Sequence, residues 1–418
     1  MSGLQPGFSP QELAEVRAQF PMLQQPHPTG KPFIYLNSAA TSLKPHCVLE
    51  AMDDYYRHYG LTVFRGVDSV SYRATEAYEE TRRHVARFIH APRAEEVIFT
   101  RNTTAALNLV CHSYAGSQLQ EGDEILVGRN EHHANFLPWQ QLAKQRGLVL
   151  KLLDLDERGR VLPKTLEAAI TERSKLFTVA QCSNVMGAQA DIKALAEVCH
   201  RHGLVIVVDG AQGILHGPTD VQELGIDFYA FSGHKLFGPT GVGVLWGRYE
   251  LLEAMPPHEY GGEMIDQVGD YDSSFADPPH RFEAGTPMIA EVIGLNRALT
   301  FVEELGYARM NRQVAYLGEQ LSAGLAALPR IQVYNRENSA SGIVCFNEAG
   351  VHAHDAASVF DQEGISLRAG QHCSQSSMDW LCTQATLRAS VACFNTEAEI
   401  EACINCAQKA GNFLDVLF

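Results

Sequence analysis

The chain of 418 residues carries 33 basic and 49 acidic side chains, a net charge of −16, which argues against a nucleic-acid surface or an anionic membrane but allows a small anionic substrate in a locally basic cleft. No apolar run approaches the roughly 20 residues of a membrane helix, and the opening M-S-G-L-Q-P-G-F-S-P lacks the basic start and apolar core of a secretory signal. Ten scattered cysteines with no export signal predict reduced thiols in a cytoplasm.

In chain order, residues 1–30 are expected to fold back on a C-terminal domain. Residues 31–289 are read as a large α/β domain, and residues 290–418 as a smaller α+β domain. Between about residues 95 and 245, short runs rich in Val, Ile and Phe alternate with helical patterns. The runs are V-I-F-T (97–100), E-I-L-V (124–127), L-V-L-K-L-L (148–153), L-F-T-V-A (176–180), L-V-I-V-V (204–208), D-F-Y-A-F (227–231) and G-V-L-W (243–246). Helices are predicted between them, as at Ala105–Tyr114 and Asp191–His202. Such alternation signals a mostly parallel sheet, whose ligands bind beyond the carboxyl ends of the strands. The residues just past the runs are therefore the candidates: Thr103, Thr104, His132, Asn184, Asp209, Gln212, Ser232, His234 and Lys235.

Tyr260–Pro287, rich in Gly, Asp and Pro, reads as a long irregular excursion. Ala290–Leu328 reads as helical, and S-G-I-V-C-F (341–346) as a strand. Thr396 and Glu399 form a capping box opening a final helix, on which Ile400, Cys403, Ile404, Ala407, Leu414 and Leu417 share a face. That spacing makes the C-x-x-C at Cys403–Cys406 packing rather than metal or redox chemistry, since no second pair accompanies it.

In F-S-G-H-K-L-F-G-P-T-G-V-G, Lys235 precedes the glycines, whereas a phosphate-binding P-loop places its lysine after them and opens a helix. Order excludes the nucleotide loop. A solvated surface lysine is the ordinary alternative, opposed by the position directly after a buried-looking strand. A lysine that reacts as an amine most often partners pyridoxal phosphate, which requires an amine, a carboxylate for the ring nitrogen, a phosphate cradle and a ring cover. Lys235 and Asp209 suit the first two requirements. Thr103 and Thr104 at a helix start, completed by Ser232 and His234, suit the cradle. His132 suits the cover.

These motifs, with N-S-A-A-T (37–41), R-N-T-T-A-A-L-N (101–108), E-H-H-A-N (131–135), S-N-V-M-G (183–187), V-D-G-A-Q-G (208–213), R-F-E-A-G-T-P (281–287), R-A-G-Q-H-C (368–373) and L-R-A-S (387–390), span nearly the whole chain. The chain resembles a fold-type I pyridoxal enzyme of the class V aminotransferase group. Within that group it resembles a cysteine desulfurase of the SufS/CsdA-like branch, also called cysteine sulfinate desulfinase. The resemblance implies Lys235 as the Schiff-base lysine and general base, His132 as a second catalytic residue, and Cys373 as the thiol that receives sulfur. Arg368 and His372 would supply positive charge favouring its thiolate. Arg388 would clamp the substrate carboxylate, a surface ion pair being the plainer reading, with Arg368 and Asn184 also binding substrate. Asn184 and Gln212 would touch cofactor or substrate. Gly285 and Thr286 would reach the phosphate of a neighbouring subunit, implying a homodimer. Implied substrates are L-cysteine, cysteine sulfinate and selenocysteine, and the implied partner is a SufE-type sulfur acceptor.

The chain departs from the family pattern at Ala188, Met288, Phe64-Arg65-Gly66 and Ser374-Gln375-Ser376. The cofactor residues are untouched, so these changes bear on substrate preference and partner surface. Two rivals remain: a class V aminotransferase or other pyridoxal lyase on a small amino acid, and a thiol-rich or metal-binding protein suggested by His132-His133 and H-A-H-D (352–355). Those histidines lack ligand spacing, and no metal is expected.

Overall fold

The computed structural model describes residues 4–417, with side chains described through residue 409. All seven predicted runs form one sheet: β1 (Val97–Thr100), β2 (Glu124–Gly128), β3 (Val149–Leu153), β4 (Ser174–Ala180), β5 (Val205–Asp209), β6 (Phe228–Ser232) and β7 (Gly243–Gly247). Their spatial order is β1-β7-β6-β5-β4-β2-β3. The contacts from β6 through β3 are parallel, and only β7 runs against its neighbours β1 and β6. Alternate residues point opposite ways, and the sheet is buried on both faces except along the edge strand β3, where Val149 and Leu152 are exposed. Phe99, Phe177, Val179, Ile206, Val208 and Phe231 enter one core, and Ile98, Leu176, Val207, Phe228 and Ala230 enter the other. The α/β class with a mostly parallel sheet is thereby established.

Helices start where polar caps satisfy free backbone N–H groups. Asn102 Oδ1 accepts from Ala105 N (2.9 Å) at the start of helix Thr103–Leu109. Asp191 does the same for Ile192–Arg201, whose Ile192, Leu195, Val198 and Cys199 are buried. β1 is anchored from outside by Arg82, which is buried and donates to the Val97 carbonyl (2.7 Å) and to Glu283 Oε1 (2.7 Å). Glu283 also accepts from Phe99 N (2.7 Å), so the segment leading to Gly285 and Thr286 is tied to the sheet.

A second, antiparallel sheet contains β8 (Ile331–Val333), β9 (Ile343–Glu348), β10 (Arg368–Gly370) and β11 (Thr386–Ser390) in the order β8-β9-β11-β10. Helices Tyr307–Ala326, Ala353–Gln362 and Glu397–Leu417 cover it. The capping box is present: Glu399 N donates to Thr396 Oγ1 (3.3 Å) and Thr396 N to Glu399 Oε2 (3.0 Å). Cys403 and Cys406 are buried in this core and burial pushes both thiols up. The side chains of Leu414 and Leu417 lie outside the described residues. The N-terminal helix Pro10–Ala18 docks through Arg17, which donates to the Phe394 carbonyl (2.7 Å) and pairs with Glu399 (2.8 Å).

Two expectations are corrected. The helical stretch 290–328 is two helices, Ile289–Leu305 and Tyr307–Ala326, broken at Gly306 with φ of 77°. The 260–287 excursion contains a hairpin, Ile265–Val268 against Ser273–Phe275. Among the described residues no helix is long and apolar enough to cross a membrane, and no cluster of three or more His, Cys, Asp or Glu could hold a metal ion.

Candidate active site

The carboxyl ends of β1, β4, β5 and β6 open onto one cavity of about 220 Å³. Thr103, Thr104, His132, Asn184, Asp209, Gln212, Ser232, His234, Lys235, Arg368 and Arg388 all line it. Eleven of the predicted site residues, distant in sequence, therefore share a single space.

Lys235 follows β6 in a tight turn, is half-buried and lines the cavity. Burial lowers its amine to about 8, against the opposing pull of Asp209 and with help from Arg388 and Arg368. A large neutral fraction near pH 8 suits a nucleophile and a base. Asp209 ends β5, 5% exposed, accepting one hydrogen bond from Ala211 N (2.9 Å). Burial raises its carboxyl while Lys235 lowers it.

His132 Nδ1 accepts from Ala134 N (3.0 Å). Burial, then the charges of Lys235 and other neighbours, hold the ring down to about 3. It is neutral, so the proton sits on Nε2. His234 is likewise neutral, held to about 4 mainly by burial, with Nδ1 beside Thr41 Oγ1 (3.2 Å). Ser232 Oγ accepts from Thr103 N (2.8 Å) and pairs with Thr103 Oγ1 (2.6 Å), binding the first helical turn to the lysine turn. Gln212 Nε2 donates to the Ala39 carbonyl (2.6 Å).

Arg388 is 1% exposed, which rules out the surface ion pair. Its Nη1 donates to the Asn184 carbonyl (2.8 Å), while Nε and Nη2 are buried with no partner. A buried guanidinium with idle donors on a cavity wall is built for an incoming anion. Asn184 also secures the next loop, its Nδ2 donating to the His372 carbonyl (2.7 Å).

Cys373 does not line this cavity. It opens instead onto a wider cleft of about 760 Å³, shared with His133, His352, His354 and Gln375, that meets the cavity at Arg368. Arg368 Nη2 lies 3.4 Å from Cys373 Sγ. His372 does not supply the expected positive charge. It is buried and held to about 3, and its Nε2 contacts the Thr386 carbonyl (3.1 Å) and Oγ1 (2.9 Å). The positive neighbour of the thiol is Arg368.

Gly285 and Thr286 lie elsewhere, lining another pocket with Tyr78, Asn108 and His258. Residues on the cavity wall that were not singled out from sequence include Ala39, Ala40 and Cys182. Only the N-S-A-A-T match hinted at the first two.

The cavity fits pyridoxal phosphate. It offers a depressed amine, a buried carboxylate, two neutral histidines on its wall and hydroxyls near a helix start. The unpartnered Arg388 donors remain for a substrate carboxylate.

Comparison with known proteins agrees. Residues 34–403 match the aminotransferase class-V family. A probable cysteine desulfurase of Halalkalibacterium halodurans is 46% identical over 97% of this chain and 99% of its own. One of Staphylococcus aureus is 43% identical over 97% and 98%. Among solved structures, the cysteine desulfurase CsdA of Escherichia coli, in an S-sulfonic acid form, superposes with TM-score 0.87 at 40% identity, covering 96% of this chain and 98% of that one. An apo cysteine desulfurase of Thermococcus onnurineus superposes with TM-score 0.90 at 37% identity, covering 98% and 99%.

Proposed function

The chain belongs to the class-V aminotransferase family, and we propose that it is a pyridoxal-phosphate cysteine desulfurase converting L-cysteine to L-alanine with the sulfur retained on Cys373. The observation that carries this reading is the Cys373 thiol against Arg368, at the junction with the cavity containing Lys235.

Lys235 would hold the cofactor, Asp209 its ring nitrogen, and Thr103, Thr104, Ser232 and His234 its phosphate, with His132 over the ring. When bound, the cofactor supplies an aldehyde and an electron-accepting ring. Arg388 orients the substrate through its carboxylate, and Lys235 takes the Cα proton as a general base. Cys373 then takes the sulfur: the substrate C–S bond breaks with its electron pair left on carbon, an S–S bond forms, and the carbon fragment takes one proton at Cβ and recovers the Cα proton from Lys235 to leave as alanine. Arg368 lies against the thiol and between the two spaces the sulfur must connect.

We extend the reading to cysteine sulfinate and selenocysteine, to a homodimer in which Gly285 and Thr286 reach the neighbouring cofactor, and to a SufE-type acceptor in a cytoplasm, feeding iron–sulfur cluster assembly. The division at 1–30, 31–289 and 290–418 belongs to the same proposal.

The test is product analysis. L-cysteine should yield alanine and a persulfide on Cys373 detectable by mass spectrometry. C373A should lose both and still release alanine from cysteine sulfinate, whose leaving group needs no thiol. Joint loss of the two activities would contradict the role given to the thiol. Sustained transamination of alanine with pyruvate or glyoxylate would favour the aminotransferase.

A further inference from the structure

Ser374 stands next to the thiol at one of the positions where this chain departs from the family pattern. It is fully buried. Its Oγ lies 3.1 Å from the Glu131 carbonyl, 3.3 Å from the Asn130 carbonyl and 2.7 Å from Ser377 Oγ. With Ser374 donating to the backbone, Ser377 donates to Ser374, and both hydroxyls are satisfied. The same two loops are joined twice more: His133 N donates to the Cys373 carbonyl (2.7 Å), and Gln375 N to His133 Nε2 (3.2 Å). The thiol loop is thus fastened to the loop that carries His132.

The backbone explains why fastening matters. His372 and Cys373 have φ of 54° and 57°, left-handed conformations that side chains other than glycine rarely adopt. Two such residues in succession persist only where surrounding contacts over-determine them. Before the pair, Asn184 holds the His372 carbonyl. After it, the Ser374–Ser377 hydroxyls hold the chain. The thiol therefore sits on a backbone clamped on both sides, at the wall between cavity and outer cleft.

We propose that Ser374, seconded by Ser377, is a positioning residue for the sulfur-transfer step. It keeps Cys373 in its left-handed conformation beside Arg368, so that the sulfur passes between cavity and cleft by side-chain rotation rather than by a swing of the loop. This rests on Cys373 being the accepting thiol. Removing the Ser374 hydroxyl strands the buried Glu131 carbonyl, leaves the Asn130 carbonyl only the longer contact from Ser377 Oγ (3.5 Å) and frees the loop, and misplacing a reacting atom by about 1 Å costs up to 10²-fold in rate.

The experiment uses the full-length enzyme with its cofactor. For S374A we expect alanine formation from L-cysteine to fall about tenfold or more in kcat, with KM little changed. Turnover of cysteine sulfinate should stay within about twofold of wild type, because that reaction bypasses the thiol. Alkylation of Cys373 by iodoacetamide, read by mass spectrometry, should accelerate at least severalfold as the loop loosens. S377A, which leaves the Ser374 backbone contacts in place, should show the same pattern more weakly and serves if S374A does not fold. Unchanged cysteine turnover, a parallel fall on both substrates, or unaltered alkylation in a folded variant would overturn the proposal. Failure of the underlying reading looks different: wild type itself would form no persulfide at Cys373.

Discussion

Replacing Arg388 with methionine separates substrate binding from folding. Burial, aided by the like charge of Arg368, holds the guanidinium down to about 10 from 12.5. A base bound more weakly by its proton in the folded state opposes folding at every pH below about 10. At about 1.4 kcal/mol per pH unit, the cost of keeping it charged is roughly 3 kcal/mol. Methionine removes that cost, fills similar volume, and sacrifices the hydrogen bond to the Asn184 carbonyl, worth about 1.5–3 kcal/mol when charged. The balance is a gain of about 1 kcal/mol, or a rise in Tm of about 1–2 °C in a chain of this length. The same change deprives the substrate carboxylate of its planar fork, and loss of a buried charge partner costs about 3–4 kcal/mol, or 10²–10³-fold in kcat/KM. Calorimetry without substrate and steady-state alanine formation measure the two effects on one preparation. A Tm lowered by several degrees with kcat/KM within tenfold of wild type would refute the assignment, because Arg388 would then be serving the fold rather than the substrate.

Stripping the cofactor and adding it back should report the lysine directly. Because burial places Lys235 near 8, the loading rate should climb about tenfold from pH 7 to 9 and flatten beyond, whereas an ordinary lysine at 10.5 would keep climbing. The D209N variant, followed by visible absorbance and turnover, should still take up the cofactor yet lose about 10²–10³-fold in rate, since the charge opposite the ring is removed. Glu283→Ala leaves the Phe99 N–H without its acceptor and the buried Arg82 with Glu79 as its remaining carboxylate, and should cost about 2–3 kcal/mol in denaturant unfolding, with no requirement that Lys235 chemistry change.

Most of the seven strands are legible because they are short runs rich in β-branched and aromatic residues, suited to both faces of a buried sheet, while the edge strand V-L-K-L-L is legible only as a short apolar run. Once those runs were placed, the rule that ligands sit beyond carboxyl ends was enough to gather Thr103, Asp209, Ser232 and Lys235, which no local spacing connects. Features set by tertiary contact escaped. The hairpin at 265–275 lies in a polar stretch with no alternating apolar pattern, and Gly306 is a single glycine within a stretch whose pattern is otherwise helical on both sides. His372 sits beside the thiol in sequence, which suggested a cation, but its charge is decided by burial, and its ring is turned toward Thr386. Placing Cys373 in the outer cleft depends on two successive left-handed residues, and neither is glycine or asparagine, so no local preference announces them. What holds that conformation is the Ser374 hydroxyl, set between carbonyls 243 and 244 positions away in the chain and backed by Ser377. The strand-end residues can be read from sequence because the sheet imposes their positions, whereas the thiol loop takes a geometry that exists only after segments distant in the chain have met.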